Sequence, residues 1–437
     1  MRITVIGCGY LGAVHAACMA ELGHEVLGID VDPAKIELLA AGRAPFFEPG
    51  LPELLASAGA TGRLKFTTDF SQVADYDAHF IAVGTPQKKG ENAADLTYVD
   101  AATHALAAHL KPGALVIGKS TVPVGTARRL AGIVKAAQPE AELAWNPEFL
   151  REGFAVEDTL RPDRLVYGVP EGAAGERAKA VLDEIYAVAL GNETPLVVTG
   201  YETAELVKVS ANAFLATKIS FINAIAEVAD VTGADVTKIA DAIGYDARIG
   251  RRFLNAGLGF GGGCLPKDIR AFQARAGELG ADQALTFLRE VDAINIRRRS
   301  RAVDLTRELL DGSLLGKKVA VLGLAFKPDS DDVRDSPALD VASQLRAQGA
   351  RVIAYDPEAV PNATRLHPEL DFAASAEQAA TDADAVVLLT EWKQFRELDP
   401  AAFGAVVGTK NILDGRNCLD PEQWRAAGWR YRALGRP

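Results

Sequence analysis

Cysteine is scarce: 437 residues hold only Cys8, Cys18, Cys264 and Cys418, and no two form a CxxC pair. That spacing argues against a disulfide framework and a thiolate zinc site, so no metal is expected, and it suits a reducing cytoplasm. Long apolar runs are missing too; no stretch reads as the roughly 18 apolar residues of a membrane span. Positive charge is in deficit, with 47 Lys and Arg against 58 Asp and Glu and a net charge of −11. A general attraction to nucleic acid or to an anionic membrane is therefore not expected, and any phosphate must be met by local groups. Arg2 before an apolar run has the look of a secretory leader, but the glycines and strand pattern that follow read as a first β-strand. The chain is 49% hydrophobic and 24% charged, ordinary for a globular protein with a large core, and its length implies two or three domains.

What is present begins at the N-terminus. Ile3 to Ile6 form a short apolar strand that runs into Gly7-Cys8-Gly9-Tyr10-Leu11-Gly12. A helical stretch from Val14 to Leu22 follows, then a second strand, Glu25 to Asp30. This is the order of a dinucleotide fingerprint. One glycine makes the turn, one admits the pyrophosphate, one lets helix and strand pack, and an acid ends the second strand beside the ribose hydroxyls. A glycine-rich turn without a ligand would need only part of that order. Asp30, rather than an Arg, favours NAD over NADP.

Strand–helix alternation continues to about residue 200, with strands expected at Ala78–Val83, Ala114–Gly118 and Glu142–Trp145 and helices at Tyr98–Leu110 and Thr126–Ala137. That alternation predicts a parallel sheet with helices on both faces. The loops Gly84-Thr85-Pro86, Ser120-Thr121-Val122-Pro123 and Asn146-Pro147-Glu148 should border the cofactor, beyond the carboxyl ends of strands. Glu202 to Val231 lacks Pro and Gly and reads as one long helix joining two domains. On it Lys208 and Asn212, spaced i and i+4, share a face. From Leu315 a second strand–turn unit starts without a full GxGxxG, with strands at Arg351–Tyr355 and Ala385–Leu389 and a helix from Pro337 to Gln348. Lys327, Arg334 and Arg416 stand near its turns, where cations suit an anionic ligand. Taken singly, each also reads as a solvated surface cation. The fold class is α/β, with two doubly wound, Rossmann-like domains joined by a long central helix. The expected divisions are 1–200, 201–312 and 313–437.

The densest run is Gly259-Phe260-Gly261-Gly262-Gly263-Cys264-Leu265-Pro266-Lys267-Asp268-Ile269. Glycines allow a close backbone approach. A Cys with a Lys and an Asp three and four residues on has the parts of an activated thiolate. The competing reading is a glycine-rich turn that caps a helix through Asp268.

Together these motifs, with Asn146-Pro147-Glu148-Phe149-Leu150-Arg151-Glu152-Gly153, Arg248-Ile249-Gly250, Phe326-Lys327 and Asp414-Gly415-Arg416-Asn417, resemble the UDP-glucose 6-dehydrogenase family along the whole chain. Family members often have Ser-Cys-Phe where this chain has Gly263-Cys264-Leu265. The resemblance implies a four-electron oxidation of the C6 alcohol of UDP-glucose to the carboxylate, with NAD as oxidant. It implies catalytic roles for Cys264 as nucleophile, Lys208 and Asn212 at the reacting oxygen, and Asp268 with a water positioned by Thr121 and Glu148. For NAD it implies Gly7, Gly9, Tyr10, Leu11, Gly12, Asp30, Lys35, Thr85, Thr121, Glu152, Lys267 and Arg334. For the sugar nucleotide it implies Glu148, Phe149, Leu150, Arg151, Glu152, Lys208, Asn212, Arg248, Phe253, Leu254, Asn255, Gly257, Phe260, Gly261, Lys327 and Arg416. It also implies at least a homodimer built on the long helix, with Arg248 reaching a neighbouring subunit's substrate. The same chemistry on GDP-mannose or a UDP-N-acetylhexosamine stays open, as does, from another class, a non-catalytic NAD-binding regulator. The intact Cys264, Lys208, Asn212 and Asp268 speak against the regulator.

Overall fold

A computed structural model describes residues 1–437. The chain forms two compact units, Met1–Ala211 with Arg270–Gly280, and Asn212–Ile269 with Ala281–Pro437. In the first unit the strands are β1 (Arg2–Ile6), β2 (Glu25–Ile29), β3 (Leu64–Thr67), β4 (Ala78–Ile81), β5 (Leu115–Gly118), β6 (Glu142–Trp145), β7 (Leu165–Gly168) and β8 (Leu196–Thr199). Their order in the sheet is β3-β2-β1-β4-β5-β6-β7-β8. The strand order reverses beside β1, and there the Gly7–Gly12 turn and the loop after β4 lie at the carboxyl ends of neighbouring strands, where doubly wound folds bind ligands. β4 and β5 are buried at every position, because apolar clusters cover both faces of the sheet. The expected parallel sheet needs one correction: β6 and β7 pair antiparallel, Trp145 opposite Gly168. A Cβ on Gly168 would lie 2.7 Å from the Ala204 side chain and 3.3 Å from that of Trp145, so glycine fits at the crossing.

The predicted elements fall close to their observed bounds. The first helix spans Tyr10–Glu21 and starts directly at the glycine turn, four residues before Val14. Thr126–Ala137 is helical as predicted. The long helix runs Tyr201–Thr232, between Gly200 and Gly233, whose φ of +72° ends it. An 18-residue window of this helix has a mean hydropathy of 1.3, enough by length and composition to cross a membrane. That corrects the expectation that no stretch is so apolar. The physical reason for the apolar run is packing: Ala216, Ile222, Ala226 and Ala229 are buried in the protein, and Ser220 donates to the Val291 carbonyl at 2.7 Å.

The second unit holds β9 (Lys318–Leu322), β10 (Arg351–Tyr355), β11 (Asp371–Phe372), β12 (Ala385–Leu388), β13 (Asn411–Asp414) and β14 (Arg430–Ala433). The order β11-β10-β9-β12-β13-β14 repeats that of the first six strands of the other sheet, and every pair is parallel. The turn repeats as well. Gly7 N–H donates to the Ile29 carbonyl and Gly323 N–H to that of Tyr355, both at 2.8 Å. The acids that follow differ in their duties. Asp356 accepts from the N–H groups of Leu324, Ala325, Glu358 and Ala359 and from the Trp392 indole, all within 3.1 Å. A carboxylate so occupied has no lone pair left for a ribose.

Candidate active site

In the first unit the glycine turn is dictated by space. Gly7 has φ +89°, and a Cβ on Gly12 would lie 1.8 Å from the Gly7 carbonyl oxygen. Gly9 faces open space, and no side chain caps the first N–H groups of the helix Tyr10–Glu21. Those donors and that clearance fit a pyrophosphate. Leu11 is half-buried beside them. Asp30, 7% exposed, accepts from Cys8 N–H at 2.8 Å, Asp32 N–H at 3.0 Å and the Lys35 ammonium at 2.8 Å. Those three donors fix the orientation of its carboxylate at the end of β2. Thr85, buried, donates to the Thr121 carbonyl at 2.7 Å and so ties the loops after β4 and β5 together.

The loop after β6 carries Glu148, whose Oε1 lies 3.0 Å from the Lys208 ammonium while Oε2 accepts from Leu150 N–H at 2.7 Å. Lys208 also stands 5.6 Å from the Phe149 ring centroid. Arg151 is occupied by Asp158, at 2.6 Å. Glu152 is half-buried. The sequence reading missed Glu48, which is 2% exposed. It accepts from Gly153 and Ala155 N–H at 2.7 Å and from the Tyr10 hydroxyl, joining the glycine turn to the segment of Glu152. A lone Glu in a loop sends no signal that it will be buried.

In the second unit the loop from Gly259 to Cys264 is held by its own protein. A Cβ on Gly259 would lie 2.2 Å from Asn295 Oδ1, on Gly261 2.4 Å from the Asp335 carbonyl, and on Gly263 2.3 Å from the Arg334 guanidinium. The close approach the glycines permit is to these groups. Asn295, 1% exposed, clamps the loop at both ends of one residue, accepting from Phe260 N–H at 2.7 Å and donating to its carbonyl at 2.9 Å. Cys264 emerges exposed at the head of the helix Leu265–Glu278, its carbonyl accepting from Asp268 N–H at 3.0 Å. Asp268 therefore lies one turn inside the helix and is not its N-cap. A thiol at a helix N-terminus meets the positive end of the dipole, which favours the thiolate. Asp268, 3% exposed, accepts from Asn212 Nδ2 at 2.7 Å and from the Lys267 ammonium at 2.5 Å. Lys208 and Asn212 themselves are 5% and 6% exposed, on successive turns of the helix Tyr201–Thr232.

Of the remaining residues, Leu254 and Gly257 are buried, and Asn255 accepts from the Arg251 guanidinium at 2.8 Å. Phe253 has a φ of +66°, a strained value for a bulky side chain. Lys327 lies over the Phe326 ring. The Arg416 guanidinium donates to the carbonyls of Leu389, Gly259 and Phe326 at 2.7, 2.8 and 3.1 Å, so it fixes the Cys264 loop against two strand ends. Arg248 is paired with Asp246, with 89% of its side chain exposed.

Residues 1–189 match the NAD binding domain of the UDP-glucose/GDP-mannose dehydrogenase family, 202–297 its central domain and 320–421 its UDP binding domain. The chain is 45% identical to a UDP-glucose 6-dehydrogenase of Rhizobium meliloti (strain 1021), with all of both chains covered. It is 42% identical to a UDP-glucose 6-dehydrogenase of Bacillus subtilis (strain 168), covering all of this chain and 93% of the other. The solved structure of a UDP-glucose dehydrogenase from Pyrobaculum islandicum superposes with a TM-score of 0.90 at 39% identity, covering all of this chain and 98% of that one. With its three domains matched in order, the chain belongs to the UDP-glucose/GDP-mannose dehydrogenase family.

Proposed function

We propose that this chain is an NAD-dependent UDP-glucose 6-dehydrogenase that makes UDP-glucuronate in the cytoplasm. The observation that carries the reading is full-length identity of 45% to an enzyme of that name. An exposed Cys264 at a helix head and a buried Asp268–Asn212 pair support it. NAD, when bound, would supply the oxidant, as hydride acceptor for each of two oxidations. Gly7, Gly9, Tyr10, Leu11 and Gly12 would hold its pyrophosphate side and Asp30 its ribose. Thr85, Thr121, Glu152, Lys267 and Arg334 would complete that set.

Lys208 and Asn212 would stabilise the alkoxide as the O6 hydroxyl proton leaves for Asp268 or a water beside it, and loss of a hydride from C6, for which NAD would be the acceptor, gives the aldehyde. The Cys264 thiolate adds to the resulting aldehyde carbon, giving a thiohemiacetal. Loss of a second hydride from that carbon, with its hydroxyl proton passing to the same base, gives a thioester. Water, positioned by Thr121 and Glu148, adds to the thioester carbon, and the thiolate leaves, giving the carboxylate and regenerating Cys264. Phe149, Leu150, Arg151, Lys327, Arg416 and the loop from Phe253 to Gly261 would grip the UDP-sugar.

The functional unit is a homodimer. Phe214, Phe221 and Val228 stand seven residues apart on the long helix and are 66%, 51% and 56% exposed. Side chains at that spacing form one stripe, which suits a second copy of the same helix. Arg248 would then reach substrate held by that copy. A second reading, the same oxidation of GDP-mannose or a UDP-N-acetylhexosamine, draws on the sequence from Gly261 to Asp268, which also resembles GDP-mannose enzymes. An NADH-formation assay over a panel of nucleotide sugars separates the two. UDP-glucose should have the highest kcat/KM, and a larger value for another sugar would replace the first reading with the second.

A further inference from the structure

Ala256 to Phe260 run beneath the surface without belonging to any helix or strand. Leu258 is fully buried, and Ala256 and Phe260 are 6% exposed. A buried stretch outside regular structure has no ladder to satisfy its peptide groups, and each group left unmet costs as much as a lost hydrogen bond. Here side chains from three elements meet them. From the long helix, Asn223 accepts from Gly257 N–H at 2.9 Å. From the helix Phe287–Leu309, Arg298 donates through Nε to the Gly257 carbonyl at 3.2 Å. Asn295, three residues before it and so on the same face, holds both the N–H and the carbonyl of Phe260. From the loop after β13, Asn417 donates to the Ala256 carbonyl at 3.0 Å and Arg416 to that of Gly259 at 2.8 Å.

Asn223 and Arg298 are fully buried, and Asn295 is 1% exposed. Neither terminal nitrogen of Arg298 meets a protein acceptor, so the Gly257 carbonyl is its hydrogen-bond partner within the protein. A cation sealed from water for one such bond is costly, and a core built for stability alone would place an apolar side chain there. The loop is also pressed against its supports. A Cβ on Gly257 would lie 2.8 Å from the Gly415 carbonyl oxygen, and one on Gly259 would meet Asn295 Oδ1. The side chains that hold this backbone are thus polar, buried and directed at its peptide groups.

We propose that Asn223, Asn295 and Arg298 are positioning residues that fix the Ala256–Phe260 loop in its ligand-binding shape before any ligand arrives. The inference rests on the function proposed above, in which this loop grips the UDP-sugar. A loop already held by its own protein has little conformational freedom left to lose on binding, so the cost of ordering it falls on folding and not on affinity.

Isothermal titration of the full-length protein with UDP, and separately with NADH, reads the two ligands apart. Asn223→Leu keeps the size of the side chain and removes the acceptor, whereas Asn223→Asp keeps the acceptor. UDP should bind about tenfold more weakly to the first and within about twofold of the unmutated affinity to the second, with NADH unaffected in both. Asn295→Asp, which turns the donor to the Phe260 carbonyl into an acceptor, should also weaken UDP by about tenfold, and it carries the test if Asn223→Leu does not fold. Hydrogen exchange of the peptide spanning Gly257 and Phe260 should be slow in the unliganded, unmutated protein and change little when UDP is added. Undiminished UDP affinity in Asn223→Leu and Asn295→Asp, a loss of UDP and NADH affinity in step, or a fast exchange that UDP slows overturns the inference. An unmutated protein that binds no UDP overturns the functional reading instead, while exchange in the variants still decides whether these side chains hold the loop.

Discussion

Cys264 and Asp30 bear the sharpest tests at the scale of single residues. Cys264→Ser should release an initial pulse of NADH and then stall, because an alkoxide leaves an ester far less readily than a thiolate leaves a thioester. The steady rate should drop by ~10³-fold or more. Stopped-flow absorbance checks this, and steady turnover near the unmutated rate would remove Cys264 from the reaction. Asp30→Asn removes the charge that repels a 2′-phosphate, so the preference for NAD over NADP should narrow by about tenfold, as read from the ratio of kcat/KM values. Such residues were legible in the sequence because each sits in a motif with its partners a few positions away. Glu48 was not, because its meaning comes from burial and from partners about a hundred positions off. An isolated charged residue in a sequence looks the same whether water or protein will surround it.

Elements show the same division. Helices and strands bounded by Gly, Pro or a clear change of period were readable to within a few residues. The antiparallel crossing of β7 was not, since nothing local records strand direction. The head of the helix Thr126–Ala137 is a case where tertiary contact supplies what the local sequence lacks. Its N-cap is Gly125, and the missing cap is the distant Glu205, which accepts from Gly125 and Ala127 N–H, both at 2.7 Å. Burial raises the Glu205 carboxyl to about 7, against the pull of those donors. The folded state therefore holds this proton more tightly than the unfolded chain. The resulting stability is full below the unfolded value, near 4.5, and is lost as pH rises through about 7. Glu205→Gln should flatten that slope, so differential scanning calorimetry at pH 5.5 and pH 8 should give a smaller difference in Tm for the variant. An unchanged difference would show that Glu205 contributes no such slope. On the long helix, Phe221→Asp places a charge in the exposed stripe. Burying Phe is worth about 2 kcal/mol, so the proposed dimer should weaken by ~30-fold or more in sedimentation. An unaltered association would put the interface elsewhere.

At the scale of the molecule, the two sheets share a strand order and a turn but differ in their acids. Asp356 is consumed by its own backbone and Trp392, so calorimetric titration should find one NADH per chain. Two equivalent sites would show that the second turn opens. Turnover should yield about two NADH per UDP-glucose with no aldehyde trapped by a carbonyl reagent, as a covalent thioester route requires; a ratio of one with aldehyde accumulating would remove that route. The distribution of the four thiols has a practical consequence. Cys8 and Cys18 are buried, and burial raises both, Cys18 to about 12. Cys418 is half-covered and raised by burial and by Asp414. Cys264 alone combines exposure with a helix head. A chromogenic thiol reagent added to the native protein should thus count intact catalytic centres directly, and every preparation carries a built-in measure of its own active fraction.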